Sequence, residues 1–441
     1  MFRIGAFVMK AHIRSRASKL SDKWQDTQKA ANRNLSATDP EKLFRKCARS
    51  ALMRRRKENY SNETMLRNFL LSLAILALVA CSGISRDPVS PGDLEDPQAP
   101  GIENARFWAD QAPDNLVELL IERDRQRRAA GLVGRPVDLT LSGGSENGAF
   151  AAGVLAAWSD SGTRPEFWSV TGVSTGALAA PFAFLGTDYD DELRRMYGGL
   201  PPKKIYERRP LAAIFPNASL LSSGPLRRLV EEYITDDFLE KIAAQHRRGR
   251  RLVVQTVSLD AQRPVIWDLG AIADSGAPNA REVFQDALMA SAAAPGVFPP
   301  VLVDVETTAG IRDELHVDGG VVSQTAYVPG WRIPSRFVRA STLYAIRNGK
   351  IDPETDIVEP GLLPIIKRSL DTIVKTQGAV DLDLIYLLGE GQGIAYNATW
   401  IDSDFDIELR QPFDREYMQA LYEYGYNRFT SGTVWSNRPP P

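Results

Sequence analysis

A serine between two glycines is the first group in this sequence whose setting could do chemistry. Val170-Thr171-Gly172-Val173-Ser174-Thr175-Gly176-Ala177-Leu178 is a short apolar run, then Gly-x-Ser-x-Gly, then small helix-forming residues. The tripartite pattern alone is weakly specific. Its placement directly after a strand pattern and directly before a helix pattern is the context of a nucleophile elbow. There the glycines allow a sharp turn, and the Ser174 hydroxyl projects at a helix N-terminus, where partial positive charge favours a developing anion. The competing reading is a structural serine in a glycine-rich turn.

A second stretch, Leu141-Ser142-Gly143-Gly144-Ser145-Glu146-Asn147-Gly148-Ala149-Phe150, follows an earlier strand pattern. Gly143 and Gly148 have the spacing of a phosphate-binding loop, but Ala149 and Phe150 stand where Lys and Ser/Thr should be. The phosphate-contacting cation and the magnesium ligand are therefore missing, and nucleotide binding is excluded. What remains is a row of backbone N–H groups at a helix start, which suits an oxyanion hole.

A serine nucleophile needs a base. The chain has three histidines, and only His246 and His316 lie in its main body. His246 sits in a cationic helix end that reads as solvated. His316 stands two positions before Asp318, so both share a strand face, and a Ser174–His316 arrangement stays open. Asp318-Gly319-Gly320 is the alternative source, a carboxylate at a strand end with glycines that clear space around it.

Taken in order, these stretches resemble the patatin-like phospholipase family. Ser223-Gly-Pro-Leu-Arg-Arg228 and Ala290-Ser-Ala-Ala-Ala-Pro-Gly-Val-Phe-Pro-Pro300 are similar to further segments of that family, and the resemblance covers about residues 137–330. It implies a three-layer α/β/α fold with a mainly parallel central sheet. It implies a Ser–Asp dyad of Ser174 as nucleophile and Asp318 as base. The amides of Gly143, Gly144 and Ser145 would form the oxyanion hole, with Gly148, Gly172, Gly176, Gly319 and Gly320 as motif glycines. No metal or cofactor is implied, and the substrate class is a lipid or other acyl ester. The loop departs from the family at three places: Ser142 replaces an Asp, Ser145 a third Gly, and Asn147 a cation. Two rival functions remain at this stage. One is a Ser–His thioesterase or peptidase. The other is an inactive lipoprotein that only binds lipid or protein.

The elements that must position these groups alternate between strand and helix patterns, which argues for α/β architecture with a mainly parallel sheet covered on both faces. Helical patterns are expected over 104–130, 149–159, 176–185, 226–233, 238–247, 282–292 and 362–376. Strand patterns are expected over 136–141, 167–171, 251–259, 315–317, 341–347 and 397–407. Trp158, Phe182, Phe184 and Phe298 are candidates for an acyl pocket, with plain core as the commoner fate of such residues.

The chain is 441 residues long, with 44% apolar and 24% charged residues, ordinary globular usage. Residues 1–64 carry 16 Lys and Arg against 6 Asp and Glu, whereas residues 65–441 carry 37 against 49. An acidic body without a basic stripe excludes nucleic acid as a partner. The two cysteines, Cys47 and Cys81, leave no disulfide framework for the body.

Residues 65–80 begin with a short basic start and run apolar from Phe69 to Ala80, too short to span a bilayer and suited to a secretory signal. The end of that run, Leu78-Val79-Ala80-Cys81, resembles a bacterial lipoprotein box. The resemblance implies cleavage before Cys81 and lipidation of that cysteine. With Ser82 following, it further implies anchoring in the outer membrane, facing the periplasm of a bacterial envelope. The expected organisation is therefore 1–64 as a mis-assigned or disordered extension, 65–80 as signal peptide, 81–103 as flexible tether, and 104–441 as one hydrolase domain.

Overall fold

The computed structural model describes residues 85–210, 217–327, 337 and 341–440, together with the isolated residues 45, 49, 50, 53, 67 and 68. The chain divides into two units, Met1–Cys81 and Ser82–Pro441. The expected extension, signal peptide and lipidated Cys81 lie outside the described residues, apart from those isolated positions.

The second unit is built on one nine-stranded sheet. Five of its strands run parallel: β2 (Val137–Leu141), β3 (Ser169–Val173), β6 (Arg251–Ser258), β10 (Thr342–Lys350) and β11 (Ala395–Ile401). Their order across the sheet is β6-β3-β2-β10-β11. Beyond β6 the sheet turns antiparallel through β7 (Arg263–Asp268) and β1 (Arg106–Trp108). The hairpin of β8 (Val301–Thr307) and β9 (Gly310–Asp318) joins through β9 to the far end of β6. A separate two-stranded ribbon pairs β4 (Glu207–Arg208) with β5 (Leu221–Ser222).

Strand periodicity sorts the sheet into two unlike faces. Leu139, Leu141, Val170, Leu252, Val254 and Ile346 point into the main core. The helices that contribute to that core include α2 (Gly148–Asp160), α3 (Thr175–Leu185), α5 (Gly224–Tyr233), α6 (Asp236–Arg247), α7 (Leu269–Asp274), α8 (Ala280–Ser291) and α10 (Arg415–Thr430). A short helix, α4 (Asp190–Gly198), joins them through buried Leu193 and Tyr197. On the other face α1 (Leu116–Ala129) lies against the strand starts, its Arg123 bonding Ser169 at 3.1 Å. Leu343 and Ala345 of β10 pack there in a smaller core with Leu382 and Ile385 of α9 (Leu362–Glu390). The architecture is thus three layers around a mainly parallel sheet, as expected.

Two segments differ from their expected form. Residues 85–103 are docked, not free. Arg86 bonds both Asp313 (2.8 Å) and Asp260 (2.6 Å), Gln98 and Glu306 exchange backbone bonds, and Ala99 and Ile102 are buried. The proline- and serine-rich composition is therefore that of a strap along the β8–β9 hairpin. Residues 104–130 are likewise not all helix, since β1 adds an antiparallel strand to β7 before α1 begins.

Candidate active site

The parallel strands end at one edge, and the loops leaving that edge carry the polar groups expected from the sequence. In sheets of this kind such an edge is where ligands bind. At the end of β3, Ser174 has φ 55° and ψ −123°, outside the broad regions open to a side-chain-bearing residue. Strain of this sort costs about 1–3 kcal/mol and must be held by its surroundings. The Ser174 N–H donates to Ser291 Oγ at 3.0 Å, and Ser291 in turn donates to the Gln255 carbonyl at 2.7 Å. A Cβ on Gly172 would meet the Gly176 carbonyl at 2.4 Å, and one on Gly176 would meet the Leu141 carbonyl at 2.3 Å. The two flanking glycines are the condition for the turn to close.

Asp318 reaches Ser174 because β6 serves as a common template. Val173 pairs with Gln255, and Asp318 pairs with the next residue, Thr256. The ends of β3 and β9 therefore meet along one side of β6. The Asp318 carboxylate accepts from the Gly320 N–H at 2.7 Å and lies near enough to the Ser174 hydroxyl for that group to hold its pKa down. Both side chains are buried. Burial pushes Asp318 up to about 6, against the opposing influence of the Ser174 hydroxyl and the Gly320 N–H. Gly319 packs its Cα against the Gln255 carbonyl, and Gly320 lies against Gln324.

The loop after β2 overlies this pair: a Cβ on Gly143 would stand 3.2 Å from Ser174 Cβ. One expected donor is lost. The Gly143 N–H donates to the Gln324 carbonyl at 2.9 Å, so it is already spent. No carbonyl accepts from the Gly144 or Ser145 N–H among the described residues. Gly144 has φ 154°, and a Cβ there would strike the Asn348 carbonyl at 2.0 Å. Gly148 starts α2 against Tyr197 and Thr175. Asn147, where a cation was expected from the resemblance, accepts from the Tyr417 hydroxyl at 2.8 Å.

Four supporting residues were not singled out from the sequence: Ser291, Gln324, Arg347 and Asn348. Asn348 binds Ser142 twice, through its N–H to Oγ (2.7 Å) and its Nδ2 to the carbonyl (2.9 Å). Arg347 is buried beneath the loop, with Nη1 at 3.3 Å from the Gly143 carbonyl and 3.4 Å from Gln324 Oε1. Its Nε has no partner. Burial lowers its pKa to about 10, offset in part by Asp381. A buried cation thus reaches the loop from β10 instead of from the loop itself. The signal that could have found it is Arg-Asn at the carboxyl end of a buried strand, where apolar residues are the rule.

His316 is not at this site's disposal. Its Nδ1 lies 2.9 Å from Thr256 Oγ1, and its Nε2 lies 2.8 Å from Glu314 Oε2. Trp267 Nε1–H already donates to Thr256 Oγ1, so Thr256 is free to donate to Nδ1 and Nε2–H to donate to Glu314. Burial lowers the His316 pKa, which fits that neutral form. Arg106 closes the buried chain onto Glu314 at 2.7 Å. The ring is structural, and the Ser–His alternative falls. His246 is half-buried against Gly270, with Nδ1 3.6 Å from Asp268, and not solvated as expected.

Next to Ser174 lies an apolar pocket whose wall runs from Ser145 and Thr175 to Phe182, Tyr233, Leu288 and Phe413. Of the four aromatic candidates only Phe182 lines it. Trp158, Phe184 and Phe298 are core.

Comparison with known proteins gives the same region. Residues 139–328 match the family model of patatin-like phospholipases. A patatin-like phospholipase domain-containing protein of Meyerozyma guilliermondii is 32% identical over 171 residues, 37% of this chain and 22% of that protein. The match therefore spans under a quarter of that relative's length. Among solved structures, VipD from Legionella pneumophila aligns with a TM-score of 0.33 and 11% identity, over 67% of this chain and 66% of its own. Human GIVD cytosolic phospholipase A2 aligns with a TM-score of 0.29 and 10% identity, over 71% of this chain and 53% of its own. Over residues 139–328 this chain is similar to the patatin-like phospholipase family.

Proposed function

We propose that the protein is a serine acyl hydrolase of lipid esters, with Ser174 as nucleophile and Asp318 as the single general acid–base. The observation that carries the reading is a buried carboxylate brought beside a serine that is held at positive φ, through the pairing of β3 and β9 on β6. In the first step the Ser174 oxygen attacks the ester carbonyl as Asp318 takes its proton. The tetrahedral oxyanion is met by the Gly144 and Ser145 N–H groups, with the acyl chain in the adjoining apolar pocket. Collapse breaks the bond to the alcohol, which leaves with the proton from Asp318. Water then repeats the sequence: Asp318 takes its proton, the acyl–serine bond breaks, and Ser174 recovers its hydrogen. A carboxylate is a weak base for an alcohol, and the raised Asp318 pKa narrows that gap.

The test is active-site labelling with a fluorophosphonate. The native chain takes one label at Ser174, and Ser174→Ala takes none. Folded native protein that stays unlabelled, and that cleaves no ester, would return the binding-only reading.

The anchor belongs to the same proposal and rests on the sequence. Residues 65–80 would be removed and Cys81 acylated, placing the enzyme at the outer membrane, facing the periplasm. Mass spectrometry of the membrane-fraction protein would find an acylated Cys81 as its first residue. Recovery of a peptide from residues 1–64 in the mature protein would rule this out.

A further inference from the structure

Helix α9 has its apolar stripe on the wrong side for a core. Its buried positions, Gly378, Leu382, Ile385 and Gly389, are confined to the second half and seat it on β10 and β11. Leu362, Ile366, Leu370, Ile373, Leu384 and Leu387 recur at helical spacing on a different face and are 46–75% exposed. This stripe follows a helix of 29 residues, about 43 Å at 1.5 Å per residue. Single exposed apolar residues are ordinary, but a contiguous stripe marks a contact surface.

The stripe borders the candidate active site. Gln377 bonds the Val322 carbonyl and accepts from Gln324 Nε2, and Val374 gives its carbonyl to Arg347. Val321 and Val322, just past Asp318-Gly319-Gly320, are themselves 46% and 42% exposed. The apolar surface thus continues from the helix to the rim of the site.

We propose that the outward face of α9 docks on a lipid bilayer, lying in the membrane plane and setting the Ser174 rim against the source of its substrate. The choice of occupant rests on the lipid-hydrolase reading. Three further features favour it. Residues 362–377 carry Lys367, Arg368 and Lys375 against Asp371, and after the Lys367–Asp371 and Lys375–Glu354 pairs the Arg368 charge is left over. The first half of the helix is exposed on much of its polar side as well, including Pro364, Lys367 and Asp371, so it projects as an amphipathic rod tied on that side to Asp352 and Glu354 by Arg368 and Lys375. A bilayer interface accepts such a rod with cations toward the headgroups. Among the described residues no helix is long and apolar enough to cross a membrane, so the in-plane arrangement is the one available to α9.

The test reads α9 itself, because residues 69–80 could also bind lipid. The full chain carrying Cys47→Ser, Cys81→Ser and Ile366→Cys is labelled with an environment-sensitive fluorophore. Phosphatidylcholine vesicles, with and without phosphatidylglycerol, are then added. The emission should shift to the blue and become shielded from an aqueous quencher. An unshifted, quenchable label on vesicle-bound protein overturns the proposal. So does a label shielded without vesicles in a dimer, which would make a second copy the occupant.

In parallel, Leu362→Asp with Leu370→Asp should slow hydrolysis of vesicle phospholipid tenfold or more. It should leave a monomeric short-chain ester within twofold of native and the melting temperature unchanged. Equal vesicle rates, or equal losses on both substrates, contradict the proposal. If the native chain cleaves neither substrate, the hydrolase reading fails, and the fluorescence result still decides whether α9 docks.

Discussion

At the scale of single residues, the Ser174–Asp318 pair joins activity to a cost in stability. The folded-state pKa of Asp318, about 6, lies above its ordinary value of 3.8 because of burial. A carboxyl raised on folding binds more protons in the native state, so its ionisation destabilises the fold as pH rises from about 4 to about 6. Asp318→Asn should therefore stabilise the protein above pH 6, by up to about 3 kcal/mol at 1.36 kcal/mol per pKa unit. The gain should vanish below pH 4, as urea melts across pH would show. The same substitution should lower ester hydrolysis by about 10²–10⁴-fold. Arg347 makes a second prediction. Arg347→Met removes a buried charge from beneath the Gly143 carbonyl while leaving Ser174 and Asp318 in place. The expected result is a fall in kcat of about tenfold or more with KM little changed, because the field acts on the developing oxyanion. An equal change in both constants would assign Arg347 to packing alone.

At the scale of elements, the groups near Ser174 were legible because glycines, a serine and a carboxylate occupy short local patterns. What was not legible depended on partners far along the chain. The β9 strand was expected only over 315–317, and β8 was not expected. Yet Val303, Asp304, Val305 and Glu306 alternate buried and exposed, a period the acidic residues disguise. Pro264 masked β7, which tolerates it at its second position. Gly425 and a run of tyrosines hid α10, where a Cβ on Gly425 would strike the Phe150 carbonyl of α2 at 2.5 Å. Gly378 similarly cut the expected α9 short. It is glycine because a Cβ would stand 2.4 Å from Arg347 Nε. The spent amide of Gly143 and the contact of His316 with Thr256 were likewise beyond sequence reading, since both follow from partners more than 50 residues away. A prediction belongs to this scale. Glu314→Ala leaves the Arg106 charge buried and unpaired, so it should destabilise the fold by about 3–5 kcal/mol in chemical denaturation. His316→Asn should lower stability too, yet leave the rate per folded molecule within a few-fold of native.

At the scale of the whole molecule, the sheet sets the rim that carries Ser174, and two peripheral pieces flank the sheet. The strap of residues 85–103 closes the antiparallel side through Arg86, Gln98 and the buried Ala99 and Ile102. The Val89 and Gln98 N–H groups, which donate to Asp313 and Glu306, should exchange with solvent more slowly than those of a free linker. Uniformly fast exchange across 85–103 would restore the flexible-tether reading. On the parallel side, α9 completes the second core with its buried end and presents apolar residues with the other.

The central claim, that one carboxylate serves as base for one serine, is tested most directly by the rate of fluorophosphonate reaction at Ser174 as a function of pH. The native enzyme should show a rate rising through an apparent pKa of about 6 to a plateau, and His316→Asn should keep that limb. Asp318→Asn should lose the limb and react at least a hundredfold more slowly. A limb that survives in Asp318→Asn, or disappears in His316→Asn, would contradict the account.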